Sequence, residues 1–180
     1  MDSPEILLEA SRFRVVRRWQ QSGEHRFARE IVEHPGSVTI VPMVDEDHVC
    51  LIRNFRIGVE ETLIELPAGT REAGEAPMAT ARREVLEETG YRATSVEPLH
   101  AFWMSPGILN ERMHLFLARG LTKARQNLDP GEDIEPLVVP WEAALAMADE
   151  GRIHDAKTLV GLYYCDRLMR AGKLAVANKP

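Results

Sequence analysis

Three glutamates stand close together at the end of the segment ARREVLEETG. Glu84, Glu87 and Glu88 are spaced i, i+3 and i+4, so a helix would project their carboxylates from one face. Local physics disfavours this arrangement, because like charges one turn apart repel and a helix carries partial negative charge at its C-terminus. Clustered carboxylates are, however, the hard oxygen ligands that Mg²⁺ and Mn²⁺ prefer. The spacing indicates a divalent-cation site, with a solvated acidic face as the alternative.

A helix with defined ends must position these glutamates. Pro77 near its first turn and Gly90 after its last residue are the residue types preferred at those two ends. Apolar residues at helical spacing predict the face that packs on a core; they are Met78, Ala81, Val85 and Leu86.

Strand-like runs flank this helix, and helical segments follow. The patterns predict a hairpin of 13–19 and 27–33, and a second hairpin of 37–43 and 49–53. The patterns also predict an extended piece over 62–69 and strands over 93–103, 112–118 and 135–140. Two helices are predicted at the C-terminal end, over 141–151 and 155–172. Asp155 is the expected N-cap of the last helix. We therefore expect one mixed α/β domain.

Composition restricts the class of protein. The 180 residues are 44% hydrophobic and carry a net charge of −6, which argues against a nucleic-acid partner. No run approaches the roughly 20 apolar residues of a membrane span, and no secretory leader is visible, so a cytoplasmic protein without membrane contact is expected. Cys50 and Cys165 are expected to be reduced core thiols. The six histidines lack the spacing of a zinc site.

The wider segment from Gly69 to Tyr91 resembles the Nudix box, GX5EX7REUXEEXGU, in which U is a bulky apolar residue. All seven fixed positions match, and Val85 and Tyr91 fill the apolar places; the seven are Gly69, Glu75, Arg83, Glu84, Glu87, Glu88 and Gly90. The resemblance implies a Nudix fold, with mixed β-sheets sandwiched between helices and an N-terminal antiparallel hairpin extension. It implies a β extension over 1–36 and a hydrolase domain over 37–180.

The resemblance also implies a reaction. Nudix enzymes hydrolyse a nucleoside diphosphate linked to another group with Mg²⁺ or Mn²⁺. Glu84, Glu87 and Glu88 would hold the metal, and the carbonyl of Ala68 would join Glu84 and Glu88 as a ligand. Gly69 permits close backbone approach. Glu75 suits the helix start, and Arg83 could pair with Glu75 to fix the preceding loop on the helix.

Flanking residues resemble the ADP-ribose pyrophosphatase branch of the family. ELPAG precedes the box, SPG follows it, and Pro106 stands sixteen positions after Gly90, where that branch carries a proline. The implied reaction is hydrolysis of ADP-ribose to AMP and ribose 5-phosphate. The alternatives are GDP-mannose or another nucleoside diphosphate derivative as substrate, or a catalytically silent nucleotide-binding domain.

The same branch implies substrate-binding residues. Arg29 and Arg56 match arginines that hold the diphosphate or nucleotide, a role that suits the planar guanidinium fork. Glu65 either touches substrate or pairs with such an arginine. Glu111 matches an acid near the terminal ribose. Each could instead form a structural salt bridge.

An acidic loop, LDPGEDIEP, matches the region that supplies the general base in this branch. Glu132 is the leading candidate, with Asp129, Asp133 and Glu135 as rivals, since DPG stands where relatives carry consecutive glutamates. Trp19 and Trp103 are candidates for stacking on adenine or for packing. The branch implies a homodimer in which residues 11–33 exchange between subunits.

Overall fold

The computed structural model describes residues 3–174 of the chain. Its strands are β1 (Glu5–Glu9), β2 (Arg14–Ser22), β3 (His25–Glu33), β4 (Ser37–Pro42), β5 (His48–Arg56), β6 (Glu61–Glu65), β7 (Ala68–Thr70), β8 (Tyr91–Trp103), β9 (Arg112–Lys123) and β10 (Ile134–Pro140). Its helices are α1 (Pro77–Thr89), α2 (Trp141–Asp149) and α3 (Ala156–Arg170). The last six residues of the expected hydrolase domain, 175–180, lie outside the described range.

A mixed sheet of order β7-β4-β9-β8 forms the centre of the domain. Strand β4 runs parallel to β9 and antiparallel to β7, and all six of its residues are buried. Burial on both faces is what a continuous run of β-branched and apolar residues predicts. A second, antiparallel sheet has the order β10-β5-β6.

Helices and the second sheet cover the two faces of the mixed sheet. On one face, Val38 and Phe116 pack with Ala81 and Val85 of α1. On the other, alternate residues such as Leu115 join a larger cluster with residues of β5, α2 and α3. Because strand side chains alternate between faces, one strand pair serves both clusters. Helix α1 is thereby fixed on the sheet by its apolar side.

The prediction of a second hairpin was wrong. Residues 37–43 and 49–53 do form strands, but β4 pairs with β7 and β9, whereas β5 pairs with β6 and β10. A single bridge between Met43 and Val49 joins the two strands at their turn. Both edges of each strand are taken by other partners, so the chain crosses from one sheet to the other.

The N-terminal strands form a separate antiparallel sheet, β1-β2-β3. The hairpin predicted for β2 and β3 is present, but strand β1 was not predicted from EILLE. Most residues of this sheet are exposed, including large apolar side chains. These are Ile6, Leu7, Leu8, Trp19 and Phe27. The domain boundary at residue 36 stays a prediction.

The helix ends follow the local sequence. Pro77 occupies the first turn of α1, and Gly90 ends it in the left-handed region at φ 69°. Asp155 caps α3 by accepting a hydrogen bond of 3.0 Å from Thr158 N–H, as predicted. Met78 was expected in the core but is 38% exposed, because it lies in the first turn beyond the sheet contact. Within residues 3–174, no helix is long and apolar enough to cross a membrane.

Candidate active site

Helix α1 directs its glutamates inward rather than into solvent. Glu84 and Glu88 are only 8% and 4% exposed, while Glu87 is half-buried. The same helix buries Ala81 and Val85 completely. Burying two carboxylates on one helix is costly, so a compensating ligand is the physical expectation.

Strand β7 lies directly against the two buried carboxylates. A Cβ added to Gly69 would lie 1.8 Å from Glu84 Oε1, so only glycine leaves space for this carboxylate. The neighbouring Ala68 N–H donates a hydrogen bond of 2.8 Å to Glu88 Oε2. The sequence predicted that the backbone at Gly69 would approach another group closely, and in the structure this group is the Glu84 carboxylate.

Arg83 connects the acidic groups of this region. Its guanidinium contacts Glu75 at 3.2 Å, which is the predicted pair between the loop and the helix. It also donates to Glu84 Oε1 at 2.7 Å and to Glu87 Oε2 at 2.9 Å. One cation thus faces three carboxylates, and Glu88 has no salt bridge within the described residues.

The buried carboxylates have strongly altered acidity. Burial raises the pKa of Glu84 to about 7, against the opposing effect of Arg83. Burial raises the pKa of Glu88 to about 8, against the Ala68 hydrogen bond. Nearby negative charge, including that of Glu132, raises both pKa values further. Among the described residues, Arg83 is the one salt-bridge partner of these two carboxylates, and of the two it contacts Glu84 alone, so the pair is short of positive charge.

A divalent cation fits this donor set. Glu84 and Glu88 offer hard oxygen atoms, and the backbone at Ala68 lies beside them. Among residues 3–174, no group of three or more His, Cys, Asp or Glu side chains is arranged to hold a metal ion by itself. Mg²⁺ commonly uses one or two carboxylates and completes its shell with water and phosphate oxygens, so an open set is compatible with it.

These groups line a cleft of about 410 Å³, within the usual size range of small-molecule sites. Predicted residues in its wall are Ala68, Arg56, Arg83, Glu84, Glu87, Glu88, Glu111 and Glu132. Sequence reasoning missed several other wall residues, among them Arg12, Arg71, Asp155 and Lys157. A lysine in a helix gives no signal of burial in the sequence, although Lys157 lies on the buried side of α3 with Thr158 and Gly161. Arg12, in the turn between β1 and β2, likewise had no such signal.

Glu65 pairs with Arg56 and does not line this cleft. Arg56 donates to both carboxylate oxygens of Glu65, at 2.7 and 2.6 Å, and Lys157 Nζ lies 2.5 Å from Oε2. With Glu65 only 1% exposed, its oxygens are engaged by cations. Of the two roles expected for Glu65, the structure contains the salt bridge, and a contact with substrate stays a prediction.

The loop between β8 and β9 brings one predicted residue to the cleft and leaves another outside. Glu111 lines the wall and accepts a 2.6 Å hydrogen bond from the Ser37 hydroxyl. Pro106 is exposed in the same loop and is not a wall residue. The substrate-binding role expected for Pro106 therefore has no support from the cleft wall and stays a prediction.

The acidic loop separates the candidate bases by position. Glu132 and Asp129 line the cleft, and Glu132 Oε2 accepts a 2.9 Å hydrogen bond from Asp129 N–H. Asp133 lines an adjoining groove, and Glu135 lines neither space. Glu132 also raises the pKa of both buried helix glutamates, which places its charge near them.

The remaining candidates are not among the residues that line the cleft. Arg29 is exposed on β3, where it donates to the carbonyl of Ala28 at 3.0 Å. Trp19 lies under Arg26, and Trp103 lies beside Arg112. Neither Arg29 nor the two tryptophans line the cleft wall, and their contacts with substrate stay predictions.

The fold and site define a class of protein that comparison with known families confirms. The NUDIX domain family model matches residues 33–160. The chain belongs to the Nudix family, and the predicted Nudix fold is confirmed. Nudix hydrolases generally need divalent metal ions, in agreement with the donor set above.

Individual relatives narrow the comparison. The chain is 41% identical over 138 residues to the ADP-ribose pyrophosphatase of Bacillus subtilis strain 168, covering 76% of this chain and 75% of that one. It is 38% identical over 149 residues to the GDP-mannose pyrophosphatase of Citrobacter koseri, covering 77% and 78%. The crystal structure of an ADP compounds hydrolase matches with a TM-score of 0.79 and 24% identity, covering 97% of this chain and 98% of the other. At this identity, the match supports the fold alone.

Proposed function

We propose that this protein hydrolyses the pyrophosphate bond of a nucleoside diphosphate sugar, with ADP-ribose as the preferred substrate. Water would attack one phosphorus, the P–O–P bridge would break, and AMP and ribose 5-phosphate would leave. The observation that carries this proposal is the juxtaposition of Glu84, Glu88, Gly69 and Arg56 around one cleft. The relative named ADP-ribose pyrophosphatase supports the choice of substrate.

Each cleft residue has a proposed part in this reaction. Glu84 and Glu88, with the Ala68 carbonyl, would hold Mg²⁺ or Mn²⁺, and Glu87 would bind a further ion or its water. When bound, the cation would neutralise phosphate oxygens and lower the pKa of a water molecule. Arg56 would bind the diphosphate through the N–H groups that Glu65 does not engage.

Proton transfer and orientation come from the surrounding residues. Glu132 would accept the proton of the attacking water, because it lines the cleft and is a carboxylate on a loop. Arg83 would orient Glu84 and Glu87 and link the helix to Glu75. Glu111 would contact the terminal ribose, and Arg12 would add positive charge at the cleft wall. Arg29, which does not line the cleft wall, would act in the cleft of a partner subunit.

A substrate panel tests the proposal directly. Purified protein with Mg²⁺ or Mn²⁺ is incubated with ADP-ribose, other ADP-sugars and GDP-mannose, and released nucleoside monophosphates are separated by chromatography. AMP from ADP-ribose is the expected main product. GMP from GDP-mannose as the main product would favour the second candidate, which the Citrobacter koseri relative supports. Release of neither would contradict a hydrolase acting on nucleoside diphosphate sugars.

We also propose a cytoplasmic homodimer. The exposed apolar side chains of the β1-β2-β3 sheet support a second copy as its partner, because isolated small sheets of this kind are marginally stable in water. Light scattering at several concentrations would measure the mass. A monomer at all concentrations would contradict the dimer, and fractionation of cells would test the compartment.

A further inference from the structure

The first turn of α3 contacts the segment that leads into the cleft. Lys157, the second residue of α3, is only 6% exposed. Its Nζ lies 2.5 Å from Glu65 Oε2 and 2.9 Å from Asp155 Oδ1. A buried lysine persists only where its charge is paired, and here the buried Glu65 and the partly buried Asp155 pair with it. This cation lies beside the Arg56–Glu65 salt bridge, at the wall of the cleft.

A second contact fixes the same segment from the same helix. Thr158 accepts a hydrogen bond of 2.7 Å from Leu66 N–H, and its hydroxyl donates to Asp155. Gly161 allows the helix to approach closely, because a Cβ there would lie 2.4 Å from Leu66 Cδ1. A glycine inside a helix is less favourable than alanine, so close packing on Leu66 explains its presence there. Residues 65 and 66 are therefore fixed by residues 92 positions away in sequence.

The charges of this group balance. Arg56 and Lys157 are the cations, and Glu65 and Asp155 are the anions. Glu65 uses both oxygens to orient Arg56, whose side chain is 41% exposed. A planar fork bound in this way leaves N–H groups of Arg56 for another anion. Loss of Lys157 would leave two acids for one arginine and remove one of the contacts that fix Glu65.

We propose that Lys157 is a positioning residue for the diphosphate site. It acts through Glu65, which in turn sets the orientation and effective charge of Arg56. The identity of the ligand rests on the proposed function, whereas the chain of contacts does not. The proposal predicts that Lys157 matters for ligand affinity only while Arg56 is present.

A double-mutant cycle with a binding readout tests this chain of contacts. Isothermal titration calorimetry measures ADP-ribose affinity in EDTA, where no turnover occurs, for the unmodified protein, Lys157→Met, Arg56→Ala and the double variant. We expect Lys157→Met to weaken binding about tenfold, and less than twofold when Arg56→Ala is already present. Lys157→Arg should restore affinity to within about threefold of the unmodified protein, since it keeps the charge. Arg167→Met, which removes an exposed cation from the same helix, should leave affinity unchanged.

The outcomes separate the possible failures. An undiminished tenfold loss in the Arg56→Ala background would overturn the proposal, because Lys157 would then contact the ligand itself. Unchanged affinity in folded Lys157→Met would also overturn it. Where Lys157→Met does not fold by circular dichroism, Lys157→Gln replaces it in the same cycle. Binding of ADP-ribose by a protein that hydrolyses no member of the substrate panel would refute the proposed function and leave the cycle interpretable.

Discussion

Substitution of Gly69 by alanine tests whether the cleft depends on the placement of one carboxylate. The added Cβ would lie 1.8 Å from Glu84 Oε1, and real Cβ contacts essentially never fall below 3.0 Å. The carboxylate must therefore retreat by about 1.2 Å. Glu84 is a flexible side chain, and Gly69 has no left-handed φ, so the backbone can accept alanine. The change should move the carboxylate and preserve the fold.

The expected result is a loss of activity without a loss of stability. A misplacement of about 1 Å at a reacting centre costs on the order of 100-fold in rate. We therefore expect Gly69→Ala to lower kcat for ADP-ribose about 100-fold and to raise the Mg²⁺ concentration needed for half-maximal activity. Thermal unfolding followed by circular dichroism should change little. Gly107→Ala is the matched control, because a Cβ at Gly107 meets nothing within 4 Å. Unaltered kcat and Mg²⁺ dependence in Gly69→Ala would refute the reasoning.

Three further predictions concern the acidic groups. Glu88→Gln should lower kcat by orders of magnitude, and full activity at saturating Mg²⁺ would contradict the metal-ligand role. Above pH 8, where Glu88 is ionised, the metal-free variant should keep or gain stability in chemical denaturation, because a buried and poorly compensated charge is removed. Glu132→Gln should lower kcat roughly 10²- to 10⁴-fold, and Asp129→Asn should have a smaller effect. Single-turnover measurements compare the two variants, and a larger loss in Asp129→Asn would make Asp129 the base. Metal-free protein should lose stability as pH rises from about 4.5 to 8, because Glu84 and Glu88, with pKa values of about 7 and 8, bind more protons folded than unfolded. The stabilisation by Mg²⁺ should accordingly be larger at pH 8 than at pH 6. A melting temperature of the metal-free protein that does not change with pH would contradict the predicted loss of stability.

Local patterns predicted the elements that carry the cleft. Pro77, Gly90 and the apolar spacing gave the correct helix, and the contact of Arg83 with Glu75 lies within eight residues of sequence. Such features depend on neighbours along one helix, so periodicity and end preferences are sufficient to find them. The same holds for Asp155 at the start of α3.

Local sequence patterns could not predict which elements pair when those elements are distant in sequence. A strand pattern does not identify the strands on its two edges, so β4 and β5 looked like a hairpin although each has other partners. Lys157 reaches Glu65 across 92 positions, and Arg12 enters the cleft wall from the N-terminal sheet. These contacts exist only after the sheets have formed.

The apolar side of α1 contributes to stability, and its acidic side contributes to the proposed chemistry. Its apolar side, with Ala81 and Val85 fully buried against the mixed sheet, anchors the helix whether or not its acids are compensated. Its acidic side is short of positive charge, since Arg83 alone contacts Glu75, Glu84 and Glu87, while Glu88 relies on a backbone N–H. A cation binding there relieves repulsion that the packing already tolerates. Substitutions on the acidic side should therefore change metal affinity and rate more than folding, and substitutions at Ala81 or Val85 should do the reverse.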